Sequence, residues 1–208
     1  VSSSPGGRGP RDYEWLADVS GVSYNNGPTE FSYPNPADLP VGHQWLPALG
    51  EEGASVVLME FSDAFCSHCR NFNLDNLPGI LEDYVATGQV RYVDHYYGFA
   101  SSVEQGVAQA EVCAAEQGRY FEFKHALFQS IELGNFDIDR AARIAGVDAQ
   151  QFGQCREERR YAEALQEMLY VDNNGVSATP TFFVNGQQIA GNDPAGIRRL
   201  IETALASE

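Results

Sequence analysis

The period of the apolar positions changes along this chain, and each change marks a different kind of element. Residues 55–61 (SVVLMEF) form a nearly continuous apolar run interrupted only by Glu60, the pattern of a central strand buried on both faces. After Ser62-Asp63-Ala64-Phe65, residues 70–86 read as a helix that Pro78 kinks. Residues 89–97 (QVRYVDHYY) are rich in β-formers and predict a second strand. Val103, Val107, Ala110 and Ala114 then fall on one helical face. Further helices are predicted over 120–131, 138–145 and 149–171. The β pattern returns at 181–184 and 187–190, and Asn185-Gly186 between these runs is a hairpin signal. Asp193 caps and Pro194 opens a last helix with the stripe Ile197, Leu200, Ile201 and Leu205. The order βαβ, helical block, ββα predicts an α/β fold: one sheet with an inserted helical subdomain.

Ahead of this pattern the chain is less regular. Residues 1–11 (VSSSPGGRGPR) lack apolar periodicity, and 1–18 read as a flexible tether. An alternation over 19–33, broken at Asn25-Asn26-Gly27-Pro28, suggests a small hairpin, and 34–47 read as an irregular, proline-rich lead-in. The expected division is therefore 1–18 tether, 19–50 extension, 51–100 first half of the sheet domain, 101–174 helical insertion and 175–208 second half.

Composition narrows the function. With 43% hydrophobic and 12% aromatic residues the 208-residue chain can build a core, which excludes global disorder. Acidic residues outnumber basic ones 29 to 13, a formal charge of −16, which excludes nucleic acid and disfavours an anionic membrane surface as partners. No run of about 18 apolar residues occurs, so no membrane span is expected within these residues. The chain opens at Val1 without methionine or a basic-then-apolar segment, which leaves room for a leader or membrane anchor upstream.

The chemistry centres on Cys66-Ser67-His68-Cys69, set where a buried strand ends and a helix begins. A helix N-terminus presents unpaired amide donors and the positive end of its dipole, which stabilise a thiolate at Cys66, and His68 adds a donor or a positive charge. Cys69, one turn deeper, is placed to attack a mixed disulfide formed at Cys66. The anion exists only in the reduced protein, so the preference belongs to that form and the disulfide is expected to be oxidising. A zinc site is the rival, but it needs about four ligands, usually with a second close pair. Cys113 and Cys155 stand far apart and supply none, so no metal and no cofactor are expected. These two cysteines are either buried free thiols or a structural disulfide; Cys113 beside Ala110 and Ala114, and Cys155 one turn from Phe152, both face buried helix sides, and the disulfide is the expectation.

The run LMEFSDAFCSHC, the distal ATPTFFVNG and the helical block between them resemble DsbA-type thiol:disulfide oxidoreductases over roughly residues 50–208. The resemblance implies a thioredoxin fold with a helical insertion, a location outside the cytoplasm, and donation of the Cys66–Cys69 disulfide to reduced, folding proteins. It also implies reoxidation by a membrane quinone-linked partner of the DsbB or VKOR kind, and the chain itself is expected to be a monomer. Carried over residue by residue, Cys66 corresponds to the exposed nucleophile, Cys69 to the buried resolving thiol and His68 to the histidine that stabilises the thiolate. Thr179-Pro180 corresponds to the cis-proline loop facing the dithiol, and Glu60 to the buried acidic position beneath it. The family often carries proline where this chain has Ser67, and the dipeptide between the cysteines tunes the redox potential.

Each assignment has a plainer alternative. Pro180 could be an ordinary trans proline, and Glu60 a surface residue of an edge strand, although the run around it argues for the interior. A buried Glu60 could transfer a proton beside Cys69 or merely tune its charge. His43 and His95 carry little signal; His125 in an aromatic helix reads as a packed residue, Asp63 as a turn residue, and Arg156-Glu157-Glu158-Arg159-Arg160 as a solvated helix face. Rival functions are a disulfide isomerase or reductase of the same fold and, less favoured, a non-catalytic thioredoxin-like binding module.

Overall fold

The computed structural model describes residues 47–51, 53–97, 101–159 and 176–207. The expected tether over 1–18, the hairpin around Asn25–Pro28, most of the 34–47 lead-in, His43 and the second half of the helix expected over 149–171 lie outside the described residues. Within them a five-stranded sheet has the order β1-β3-β2-β4-β5. Its strands are β1 (Ala48–Leu49), β2 (Val56–Ser62), β3 (Val90–Tyr96), β4 (Thr181–Val184) and β5 (Gln187–Ala190). Only β2 and β3 run parallel, with Leu58 opposite Tyr92 and Glu60 opposite Asp94. A parallel pair needs a crossover, and the helical segment after the cysteines provides it.

That segment begins as α1 (Ser67–Asn71), widens into a π-helical stretch at Phe72–Asn76, returns to α2 (Leu77–Ile80) and widens again at Leu81–Val85. Pro78, expected to kink the helix, sits in the first turn of α2, and the wide turns flank it. Proline removes one N–H from the helical ladder, and widening re-partners the neighbouring groups. The helix starts at Ser67, ahead of the regular 70–86 stretch, with Cys66 at its N-cap as the motif's place at a helix start implies.

Between β3 and β4 lie α3 (Ser102–Ala115), α4 (Tyr120–Glu132), α5 (Ile138–Ala145) and α6 (Ala149–Glu157). Ser101 and Glu104 close a capping box at the start of α3. Val107, Ala110 and Ala114 are fully buried, whereas Val103, on the same face by spacing, is half exposed, so the buried stripe begins a turn later than expected. A disulfide joins Cys113 of α3 to Cys155 of α6 with Cα atoms 5.8 Å apart, and both residues are completely buried. Arg156 pairs with Asp139 of α5 at 2.8 Å, so the charged run at the end of α6 contacts a neighbouring helix and is not purely a solvated face.

Asn185 and Gly186 both take positive φ, 44° and 85°, which sets the tight β4–β5 turn. The Asn185 side chain also accepts from the Val57 N–H at 2.8 Å, pinning the hairpin to β2. The last helix, α7 (Pro194–Leu205), packs Ile197 and Ile201 against Leu58, Phe182 and Phe72. β1 is the element the hydrophobic pattern missed: two residues carry no period, and only pairing with β3 makes them a strand.

Candidate active site

The turn after β2 aims the first cysteine outward. Asp63 Oδ1 accepts from the Phe65 N–H at 2.9 Å, and the Cys66 N–H donates to the Asp63 carbonyl at 3.2 Å. Cys66 then takes the N-cap in extended conformation, its carbonyl accepting from the Arg70 N–H at 3.1 Å to open the helix. Its side chain makes no capping bond. The Cys66 thiol instead donates to the Thr179 carbonyl at 3.3 Å, 113 residues away in sequence. The Thr179-Pro180 peptide is cis, and the Pro180 carbonyl accepts from the Gly191 N–H at 2.8 Å. The loop thus faces the cysteine through its Thr179 carbonyl.

The two sulfurs differ in access. Cys66 and Cys69 are free thiols; Cys66 is half-buried and Cys69 is buried. Burial pushes the Cys69 thiol well up, and the Glu60 carboxyl adds to the rise. Ser67 and His68 are exposed on the outer side of the first turn. Arg70 anchors the whole loop, donating to the Phe65 carbonyl at 3.3 Å and pairing with Glu132 of α4 at 3.4 Å. Phe65, 37% exposed, rests on Phe136, 43% exposed, with ring centroids 5.3 Å apart, and this leaves an apolar step beside Cys66.

Glu60 is completely buried on β2 beneath the dithiol, and it is not alone. Tyr92 donates its hydroxyl to one carboxyl oxygen at 2.6 Å, and Asn73 donates to the other at 2.8 Å. Asn73 also donates to the Cys69 carbonyl at 3.0 Å, so one side chain, held in the widened helical turn, links the acid to the cysteine helix. Burial raises the Glu60 carboxyl to about 7, with Lys124 opposing the rise and Asp94 adding to it. The Lys124 ammonium pairs with Asp94. Sequence reasoning brought forward Glu60 but passed over Asn73, Tyr92, Asp94 and Lys124. The available signal was Tyr92 and Asp94 alternating in a strand of β-formers, which puts both on the face shared with Glu60 once the register is known.

A raised carboxyl has a consequence for stability. The native protein holds the Glu60 proton more tightly than the unfolded chain does. Its favourable contribution is complete below the ordinary glutamate range and is lost as pH rises through about 7. Glu60→Gln removes that loss. Relative to its effect at about pH 4, the variant is expected to gain up to about 3 kcal/mol at about pH 8 in urea unfolding. A pH-independent difference between the two proteins would contradict a buried, titrating Glu60.

Residues 45–203 match the model of a family described as Thioredoxin. Among curated proteins, a Rickettsia typhi protein named as a protein-disulfide oxidoreductase is 22% identical over 172 residues, 77% of this chain and 62% of its own length. The Bacillus subtilis disulfide bond formation protein D is 25% identical over 171 residues, 76% of this chain and 77% of that protein. A Salinispora tropica Na(+)/H(+) antiporter NhaA is 32% identical over 162 residues, 76% of this chain but 24% of the antiporter. The chain thus spans less than two thirds of the Rickettsia and Salinispora relatives. Among solved structures, oxidised BdbD of Bacillus subtilis superposes with a TM-score of 0.69 at 23% identity, covering 77% of this chain and 93% of that one. DsbA of Chlamydia trachomatis gives a TM-score of 0.71 at 21% identity, covering 87% and 99%.

Proposed function

This chain belongs to the thioredoxin family, in the helix-inserted form of the DsbA-like folds, and from that premise we propose that it is a protein-disulfide oxidoreductase whose Cys66–Cys69 disulfide is donated to folding proteins. One observation carries the reading. Cys66 stands half-exposed at a helix start against the Thr179 carbonyl, while Cys69 is sealed in the core above a protonatable Glu60.

The chemistry follows from that asymmetry. In the oxidised protein a substrate thiolate attacks the Cys66 sulfur, the accessible one, and the Cys66–Cys69 bond breaks with its electron pair left on Cys69. The buried anion is costly there, and the protonated Glu60 carboxyl supplies the proton that neutralises it. A second substrate thiolate attacks the substrate sulfur held on Cys66, forms the substrate disulfide and expels Cys66 as a thiolate. That leaving group stands at the N-cap of the cysteine helix, whose first backbone N–H groups have no partner within the helix. The Thr179-Pro180 backbone edge and the Phe65–Phe136 step are suited to an extended, apolar stretch of an unfolded chain.

Restoring the disulfide needs an external acceptor of two electrons, which we assign to a membrane quinone-linked partner of the DsbB or VKOR kind. The working site is extracytoplasmic, where substrate disulfides persist. Among the described residues no helix is long and apolar enough to cross a membrane. The antiporter match covers a quarter of that protein and carries no argument for transport by this chain.

The test mixes oxidised full-length protein with a reduced, unfolded disulfide-containing protein. The expected result is one substrate disulfide formed per Cys66–Cys69 bond consumed, with a potential for the pair above that of glutathione. A potential well below glutathione's, with the protein accepting rather than donating disulfides, would move the assignment to a reductase or isomerase. Absence of any exchange would leave a binding module.

A further inference from the structure

The buried acid beneath the dithiol has charged company that the reaction scheme has not used. Glu60 and Asp94 sit opposite one another on parallel strands and point to the same face. Two carboxyls so placed repel when both are ionised. The cation that answers them comes from outside the sheet: Lys124 of α4, 3% exposed, pairs with Asp94. Burial alone would strip the Lys124 proton, but Asp94, then Glu111 and Glu60, outweigh it and keep the ammonium charged. Glu111 of α3 is 1% exposed, and neither of its carboxyl oxygens has a hydrogen-bond partner. Among the described residues, three buried carboxyls thus act on the Lys124 ammonium, of which Asp94 pairs with it directly.

We propose that Lys124, supplied by the inserted helical block, is a positioning residue for the dithiol reaction: held by Asp94 beside Glu60, it sets how readily the Glu60 carboxyl exchanges a proton with Cys69. The inference rests on Glu60 acting as the acid–base group. In the reoxidation direction the Glu60 carboxylate takes the Cys69 proton. The Cys69 thiolate then attacks Cys66, the Cys66–Cys69 bond forms, and the partner sulfur leaves with the electron pair. Lys124 never touches a reacting sulfur in this step and acts through charge alone.

Other groups around Glu60 bear on its proton and are named for that reason. The Tyr92 hydroxyl donates to it, which favours the carboxylate. Tyr120 of α4 is buried and held neutral, its burial compounded by Asp94 and Glu111. Asp63, in the turn before the cysteines, is raised by its own burial and lies within the influence of Lys124. Asn73, Lys124 and His125 also line a small cavity of about 10 Å³, room for about one water. Of these groups only Asp94 both pairs with Lys124 and raises Glu60, so Asp94 and Lys124 should act on Glu60 with opposite signs.

That opposition is the test. Reduced full-length protein is mixed with oxidised glutathione, and acid-quenched samples are weighed to follow the second glutathione release, when Cys69 displaces it from Cys66. The rate is expected to rise with pH through a midpoint near neutrality that Glu60→Gln abolishes. Lys124→Met should move that midpoint up by roughly one pH unit and slow release below it by about tenfold. Asp94→Asn should move it down, and the double variant should return it towards the parent. Should Lys124→Met fail to fold, Lys124→Gln and Asp94→Asn read the same signs. A merely structural salt bridge would lower the melting temperature in both single variants and leave both midpoints in place, which overturns the proposal, as would midpoints moving in the same direction. A parent profile with no midpoint that Glu60→Gln removes would instead defeat the acid–base role of Glu60 and this inference with it.

Discussion

Cys69→Ser is expected to reduce disulfide donation to the uncatalysed rate and to leave substrate proteins covalently held on Cys66. The serine keeps the volume of a completely buried side chain but removes the sulfur that closes the intramolecular disulfide. Once a partner sulfur is attached to Cys66, nothing inside the protein can displace it, because thiol–disulfide exchange requires a thiolate in line with the mixed bond. Non-reducing electrophoresis of the variant with disulfide-bearing clients, whose bond the Cys66 thiolate opens by exchange while the other client sulfur leaves as a thiolate, should show adducts that collapse on reduction. Cys66→Ser should give neither turnover nor adducts, since the remaining Cys69 is shut off from solvent and from any protein-sized partner. Turnover surviving in Cys69→Ser, or adducts surviving in Cys66→Ser, would place the reactive sulfur elsewhere and remove the basis of the proposed function.

Removing the second bridge should produce the largest loss of stability. The Cys113–Cys155 bond ties α3 to α6 across 42 residues, and in the chain-entropy account closing such a loop restricts the unfolded chain by about 4 kcal/mol. Cys113→Ala/Cys155→Ala is therefore expected to unfold at a lower denaturant concentration by that free energy, and to melt roughly 10 °C lower. The dithiol should keep its potential in the variant, because the bridge joins α3 to α6 in the helical block, away from the strand-to-helix turn that carries Cys66 and Cys69. A loss below about 1 kcal/mol would mean that the unfolded helical block is already restricted without the bridge.

The two cysteine pairs also differ in how the sequence marks them. Cys66 and Cys69 declare themselves through a spacing that fits one helical turn, directly after an apolar run. Cys113 and Cys155 carry no local signal beyond facing buried helix sides. Their pairing depends on α3 and α6 meeting, with the Phe152 ring of α6 also tilted against Phe123 of α4, centroids 5.7 Å apart.

What the sequence determined by itself was local. The continuous run ending at Phe61, the β-former run ending at Tyr96 and the Asn185-Gly186 turn each encode an element through a short-range rule of period or backbone conformation, and those elements stand where the pattern put them. The Cys66 to Cys69 spacing likewise set both cysteines at the start of the helix after β2, and the LMEFSDAFCSHC and ATPTFFVNG motifs encode the thioredoxin fold. Only the tertiary structure decided which distant groups meet. The contact between the Cys66 thiol and the Thr179 carbonyl crosses more than half the chain, and β1 exists only because β3 offers an edge. The charge at Glu60 was the least legible of all. Its proton depends on strand register opposite Asp94, on a widened helical turn that delivers Asn73, and on a lysine from an inserted helix. Each of these is a through-space electrostatic or hydrogen-bonding relation that falls off with distance, not with position along the chain, so only the folded arrangement of those elements could specify it.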